Sequence, residues 1–203
     1  MRYLIVVDMQ NDFVTGSLGS KMAEMIVPAV CEKIRSYKAQ GSTVFMTLDT
    51  HFKDYLETPE GKKLPVEHCI KGTEGWQPET QVAEAIGGSA EVYEKATFGS
   101  AELAQHLAEI TKAGDEIELC GLCTDICVVS NALLIKAFCP MKSGIYTGKI
   151  LDPFHGSGTL GVCCEKLNLQ GNNIKWTGIE LEEKWCDIAR QRLNNIGGGT
   201  TNE

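Results

Sequence analysis

Long apolar runs are missing from this chain. Across its 203 residues no stretch of about 18 apolar residues occurs, and the opening MRYLIVVDMQNDF meets an acid after only five consecutive apolar residues. Neither a membrane span nor a signal peptide is expected. Aromatic residues are few at 7%, and positive charge is in the minority, with 19 Lys and Arg against 27 Asp and Glu for a net charge of -8. Such a surface exerts no long-range pull on phosphate backbones or anionic bilayers, so nucleic-acid and membrane binding are not expected. Low-complexity sequence is confined to residues 197–203, GGGTTNE, which read as a flexible tail.

What the chain does have is 43% hydrophobic residues, enough for the core of one domain or at most two very small ones. It also has nine cysteines. That odd number without a secretion signal points to reduced thiols and a cytoplasmic protein rather than a disulfide framework. Cys120, Cys123 and Cys127 are closely spaced but lack the second matching pair of a structural zinc site, so they are expected to be buried or catalytic thiols.

Strand and helix signals alternate along the chain. Tyr3 to Val7 is a short apolar run ended by Asp8, and Ile26, Val30, Ile34 and Tyr37 follow at helical spacing. Thr43 to Leu48 is a second strand, and Val92-Tyr93 lies in a weaker third one. Leu103, Leu107 and Ile110 mark a helix, Ile117 to Cys120 a fourth strand, and Val128 to Phe138 a buried helix starting near Thr124 or Asp125. Lys149 to Leu151 and Ile174 to Ile179 bracket a helix carrying Leu160, Cys163, Cys164 and Leu167, and a last helix carries Trp185, Ile188, Ala189 and Leu193. This alternation implies an α/β fold, a doubly wound parallel sheet covered on both faces, with its sites at the carboxyl ends of the strands.

Three reactive groups fall at those ends: Asp8, Lys95 and Cys127. A thiol needs a nearby base or positive charge to become a nucleophile, and Cys127 sits in the expected first turn of a helix, where backbone N–H groups favour thiolate. Asp8 suits the base, Lys95 the counter-charge, and the run Gly121 to Cys127 offers N–H donors to an oxyanion. The same residues also suit a strand-end cap, a solvated lysine and a packed helix cysteine. His106, among Glu102, Gln105 and Glu109, reads as a surface residue.

The blocks VVDMQNDF (6–13), KATFGS (95–100) and GLCTDICV (121–128) resemble, in order, the signature blocks of the isochorismatase-like cysteine hydrolases, the family of the nicotinamidases. The resemblance covers residues 1 to about 140. It implies a triad of Asp8, Lys95 and Cys127 with Cys127 as nucleophile, a cis Leu122–Cys123 peptide, and an oxyanion hole from the N–H groups of Cys123 and Cys127. It further implies a small-amide substrate, Phe13 and Leu122 as pocket walls, and a homo-oligomer.

Asp49 and His51 lie two residues apart at the end of the second strand, and His68 follows in the loop LPVEHC (64–69). One carboxylate and two imidazoles suit zinc, manganese or iron, although an Asp-x-His pair is also a common hydrogen-bonded strand end. The resemblance favours the metal, because nicotinamidases carry an Asp-x-His and a later Pro-x-His-Cys as ligands. Here an additional residue separates Pro65 from His68, Leu64 replaces a usual tryptophan, and Asp54 or Tyr55 replaces a frequent further histidine.

Beyond about residue 140 the pattern changes. The run ILDPFHGSGT (150–159) is similar to the adenosylmethionine-binding motif of amino DNA methyltransferases, and the similarity continues through GIE (178–180) to about residue 196. A strand entering a glycine turn and then a helix lets a ligand approach the backbone, and an acid some 20 residues on could hold ribose. Under this alternative, Asp152, Gly156, Gly158 and Glu180 would contact adenosylmethionine. The Asp-Pro-Pro-Tyr-like catalytic motif of such enzymes occurs nowhere in the chain, so the alternative is a methyltransferase fragment or an inactive chimera. The expected organisation is a hydrolase core at 1–140, a methyltransferase-like segment at 141–196 completing the same sheet, and the tail.

Overall fold

The computed structural model describes residues 1–88, 90–139, 147–152 and 156–196. The sheet grows outward from β1 (Arg2–Val7), which pairs in parallel with β2 (Thr43–Asp49) on one side and with β4 (Glu116–Gly121) on the other. The edge strand β3 (Glu91–Lys95) pairs with β2, giving the order β3-β2-β1-β4 and placing Lys95 opposite Asp49.

β1 is apolar along its length because both of its faces are covered. Leu4 and Val6 point into a core shared with α2 (Lys21–Ala39) and α3 (Thr80–Ile86), whereas Tyr3, Ile5 and Val7 pack under α4 (Ala101–Ile110) and α5 (Val129–Phe138). Serine caps fix two helix starts: Ser20 Oγ accepts from Ala23 N at 3.1 Å, and Ser100 Oγ from Leu103 N at 3.1 Å. A short α1 (Asn11–Val14) follows β1. Neither α1 nor α3 was expected from periodicity, since each is only one or two turns long.

Two expectations change. The apolar stretch from Val128 is not buried all round: α5 packs one side against α4, and Leu133 and Phe138 remain 58% and 40% exposed. His106 is not simply solvated, because its ring lies edge-on to Phe45 at 5.6 Å and hydrogen-bonds the Tyr93 hydroxyl.

In the C-terminal segment, β5 (Thr147–Asp152) and β6 (Asn173–Gly178) pair in parallel across α6 (Thr159–Asn168), and α7 (Glu183–Asn194) follows. β5 lies alongside β4, but the hydrogen-bonded ladders among the described residues form a four-stranded and a two-stranded sheet. α6 approaches β6 closely at Gly161, where a Cβ would meet the Trp176 ring at 2.7 Å. Residues 197–203 of the expected tail, and Pro153 to His155 of the glycine-turn motif, lie outside the described residues. No described helix is long and apolar enough to cross a membrane.

Candidate active site

Three strand ends meet at one buried point. Asp8 follows β1, Lys95 ends β3, and Cys127 lies just after β4; all three side chains are buried. Lys95 Nζ is 2.7 Å from Asp8 Oδ2, 3.2 Å from Asp49 Oδ1 and 3.8 Å from Cys127 Sγ. The ammonium therefore joins the base, the thiol and the first candidate metal ligand. Thr47 Oγ1 donates to the other oxygen of Asp8 at 2.7 Å. Asp8 itself sits at φ +51, the left-handed region that non-glycine residues seldom adopt.

The electrostatics follow from burial. Desolvation pushes the Asp8 carboxyl up, opposed by the Lys95 charge, and so makes it a stronger proton acceptor than a surface aspartate. Burial and the Asp8 charge push the Cys127 thiol up, against the Lys95 charge. Desolvation thus opposes the thiolate that a helix N-terminus would favour, and Cys127 lies in a π-helical turn ahead of α5 rather than in its first turn. Burial works against the charge on Lys95, but the two aspartates beside it win and hold it charged.

The turn that presents Cys127 depends on Gly121. This residue has φ +133, and a Cβ there would lie 2.0 Å from the Val7 carbonyl oxygen, so only glycine fits. Leu122 N then donates to Val7 O at 3.0 Å, and residues Thr124–Val128 form a π-helical turn before α5. No cis peptide occurs among the described residues, so the Leu122–Cys123 bond, implied to be cis, is trans; Gly121 makes the reversal instead. Cys123 precedes this turn and Cys127 lies within it, with the Cys123 carbonyl accepting from Ile126 and Val128 N–H groups at 3.2 and 3.1 Å. Leu122 and Phe13 belong to one buried apolar cluster, and Phe13 faces His68 with ring centroids 5.5 Å apart.

Asp49, His51 and His68 also converge, with one ligand atom from each lying within 4.8 Å of the others. β2 delivers Asp49 directly, and His51 pairs with the segment that carries His68, through His51 N to Cys69 O at 2.9 Å and Lys71 N to His51 O at 2.8 Å. His68 Nδ1 lies 2.8 Å from the Val66 carbonyl, which leaves Nε2 facing the cluster 3.6 Å from Asp49 Oδ2. Burial works to raise Asp49, but the adjacent His51 and His68 imidazoles and the Lys95 charge outweigh it and hold the carboxyl well below its usual range. His51 Nε2 is buried 3.1 Å from Asp49 Oδ2 without a well-formed hydrogen bond. That orphaned nitrogen, the ionised carboxylate and the oriented imidazole fit a divalent cation.

Several supporting residues were not assigned roles from the sequence. Gln10 clamps the Asp49 backbone, accepting from its N–H at 2.7 Å and donating to its carbonyl at 2.9 Å, and Asp12 Oδ2 accepts from Cys69 N at 2.7 Å. Tyr55 packs against both imidazoles at 4.6 and 5.0 Å. Asn131 Nδ2 donates to the Cys127 carbonyl at 2.9 Å. Asn131 was discernible as a polar residue inside an apolar helix, four positions after the cysteine.

The alternative cluster also comes together, but on itself. Asp152 is buried at the end of β5. Glu180 Oε2 accepts from Gly156 N at 2.8 Å, while Oε1 accepts from Leu181 N and Glu182 N at 2.8 and 2.9 Å. Gly158, at φ +80, caps α6, and Arg192 ties the turn down through Ser157 Oγ and its carbonyl at 2.7 and 2.8 Å. Both Glu180 oxygens are thus engaged by the chain's own N–H groups in this arrangement.

Comparison with known proteins agrees with this division. Residues 132–191 match the DNA methylase family model, and 46 residues are 46% identical to the type II methyltransferase M.SmaI of Serratia marcescens, a match that spans only 14% of that protein's length. The nicotinamidase/pyrazinamidase of Mycobacterium tuberculosis is 27% identical over 168 residues, 71% of this chain and 88% of its own. The zinc complex of the Pyrococcus horikoshii pyrazinamidase superposes with a TM-score of 0.66 at 25% identity, covering 88% of this chain and 99% of its own. The Isochorismatase domain model matches residues 2–137, the stretch that carries all three strand-end groups and the Asp-His-His cluster, and the chain belongs to the isochorismatase family.

Proposed function

We propose that this protein is a cysteine amidohydrolase that cleaves a small amide, with nicotinamide as the first substrate to consider. The observation that carries the reading is the position of Lys95 Nζ, in contact with Asp8, Cys127 and Asp49 at once. As Cys127 Sγ attacks the amide carbonyl carbon, its proton passes to Asp8, whose desolvated carboxylate is a strong acceptor. Backbone N–H groups of Cys123 and Cys127 hold the developing oxyanion. Asp8 returns the proton to the leaving nitrogen, ammonia departs, and a thioester remains on Cys127. Water, giving a proton to Asp8, then attacks the thioester; the acid leaves and the proton returns to the thiol. Lys95 holds the negative charge on Asp8 and sulfur throughout.

Asp49, His51 and His68 would hold a zinc, manganese or iron ion, which when bound supplies a Lewis-acid anchor for a neutral nitrogen donor on the substrate. Phe13 then offers an apolar wall next to His68. Similarity to the pyrazinamidase over 88% of the chain, against a family match ending at residue 137, supports reading residues 141–196 as the part that completes the hydrolase architecture.

The test is ammonia release from nicotinamide and a panel of small amides by metal-supplemented protein, with Cys127→Ala as control. Release that requires Cys127 supports the reading, and no release from folded protein on any amide removes it.

A further inference from the structure

Asn131 is fully buried in α5 and reaches two of the three blocks that build the site. Its Nδ2 donates to the Cys127 carbonyl at 2.9 Å, and its Oδ1 accepts from the backbone N–H of Ser100 at 2.9 Å. Ser100 ends the Lys95–Ser100 block and caps α4. That block has no freedom to sit elsewhere, because Gly99 lies so close to α5 that a Cβ would meet Leu134 Cδ1 at 2.7 Å and the Ser130 carbonyl carbon at 3.0 Å. The thiol, meanwhile, sits in a π-helical turn, a geometry that proteins maintain mostly where function requires it.

We propose that Asn131 is a positioning residue: its carboxamide locks the nucleophile's π-turn to the lysine-bearing loop and so sets the spacing between Cys127 Sγ and Lys95 Nζ. The proposal rests on the hydrolase reading. The carboxamide is the group that joins the two blocks, since an apolar residue in its place would leave the Ser100 N–H without this acceptor and the Cys127 carbonyl without this donor. Without the carboxamide the turn relaxes toward ordinary α geometry and the sulfur moves away from the ammonium. A displacement on the scale of 1 Å is enough to cost about a hundredfold in rate.

The test compares Asn131→Leu, which keeps the branched outline and removes the hydrogen bonds to Cys127, Ser100 and, at 3.4 Å, Phe98, with Asn131→Thr, whose hydroxyl can still reach the carbonyl one turn back. Two readouts are needed: kcat and KM for the best amide, and the rate at which iodoacetamide alkylates Cys127 in the folded protein, followed by mass spectrometry. We expect Asn131→Leu to lower kcat by about tenfold or more with KM within about twofold, and to slow alkylation by about fivefold, with Asn131→Thr recovering most of both losses. A purely structural role would lower the thermal midpoint and leave both rates per folded molecule unchanged, and that result overturns the proposal. If Asn131→Leu does not fold, Asn131→Thr still decides, because the loss of the bonds to the Phe98–Ser100 loop should lower kcat by about threefold and an unchanged kcat overturns the assignment. Failure of the hydrolase reading would look different: wild-type protein would release no Cys127-dependent ammonia, while the alkylation comparison would still report on Asn131.

Discussion

The two parts of this chain treat polar groups in opposite ways. In the first 139 residues, two aspartates, a lysine, two histidines and a thiol are packed together away from water, with a histidine nitrogen left unsatisfied. In the segment after residue 147, the corresponding carboxylate, Glu180, is satisfied by three backbone N–H groups, and Arg192 closes the glycine turn. Concentrated, incompletely neutralised charge is what chemistry requires, and complete internal pairing is what a scaffold requires. The difference is the reason for proposing the chemistry in the first part, even though the second carries an equally recognisable motif.

That contrast can be broken most directly at the nucleophile. Cys127→Ala should reduce ammonia release by about 10⁴-fold or more while leaving the fold intact, and a variant that retains activity would move the chemistry elsewhere. Lys95→Met should be the most destabilising single change in the site, by about 3–5 kcal/mol in urea unfolding, because it leaves Asp8 and Asp49 buried and uncompensated. Zinc at a hundredfold excess over its Kd should stabilise the protein by about 2.7 kcal/mol, a gain that His68→Ala abolishes.

Smaller effects sharpen the same comparison. Glu118 accepts from Lys33 at 2.5 Å and from Tyr37; burial works to raise its carboxyl, but these hydrogen bonds and the Lys33 charge hold it below the ordinary glutamate value. Its contribution, about 1 kcal/mol, is therefore present above the unfolded-state value and lost as pH falls through the folded-state one. Glu118→Gln should accordingly destabilise the protein near neutral pH and make no difference in strong acid, as read by thermal unfolding across pH. In the second part, Glu180→Gln should cost about 1 kcal/mol with no change in kcat, and calorimetry with adenosylmethionine should show no binding to the wild type.

Much of this was legible from the residues alone. Strand-ending Asp8, Lys95 and Cys127 announce convergence because parallel strands bring their carboxyl ends together, and Asp49 and His51, two residues apart at the end of β2, leave the chain on one side by simple alternation. Less legible was anything that depends on three-dimensional burial. The raised Cys127 thiol reflects desolvation, which no spacing rule encodes. The clamp from Gln10 to Asp49 spans 39 positions, and the self-closure of the methyltransferase-like turn depends on Glu180 finding Gly156 N across 24. The fold of the first part was plain from its alternating elements. The arrangement of β5 and β6 was not, because pairing between strands is decided by neighbours rather than by the strands themselves.

The pairing of Asp49 with Lys95 across β2 and β3 has a consequence for how the chain assembles. β3 is an edge strand of five residues whose exposed and buried positions barely favour one alignment over another; only Tyr93 and Lys95 turn inward. A slip by one residue in one direction would put Glu94 opposite Asp49, carboxylate beside carboxylate, so the ion pair favours the observed register of β3 over that one. The register of the edge strand and the proposed chemistry thus draw on the same ammonium.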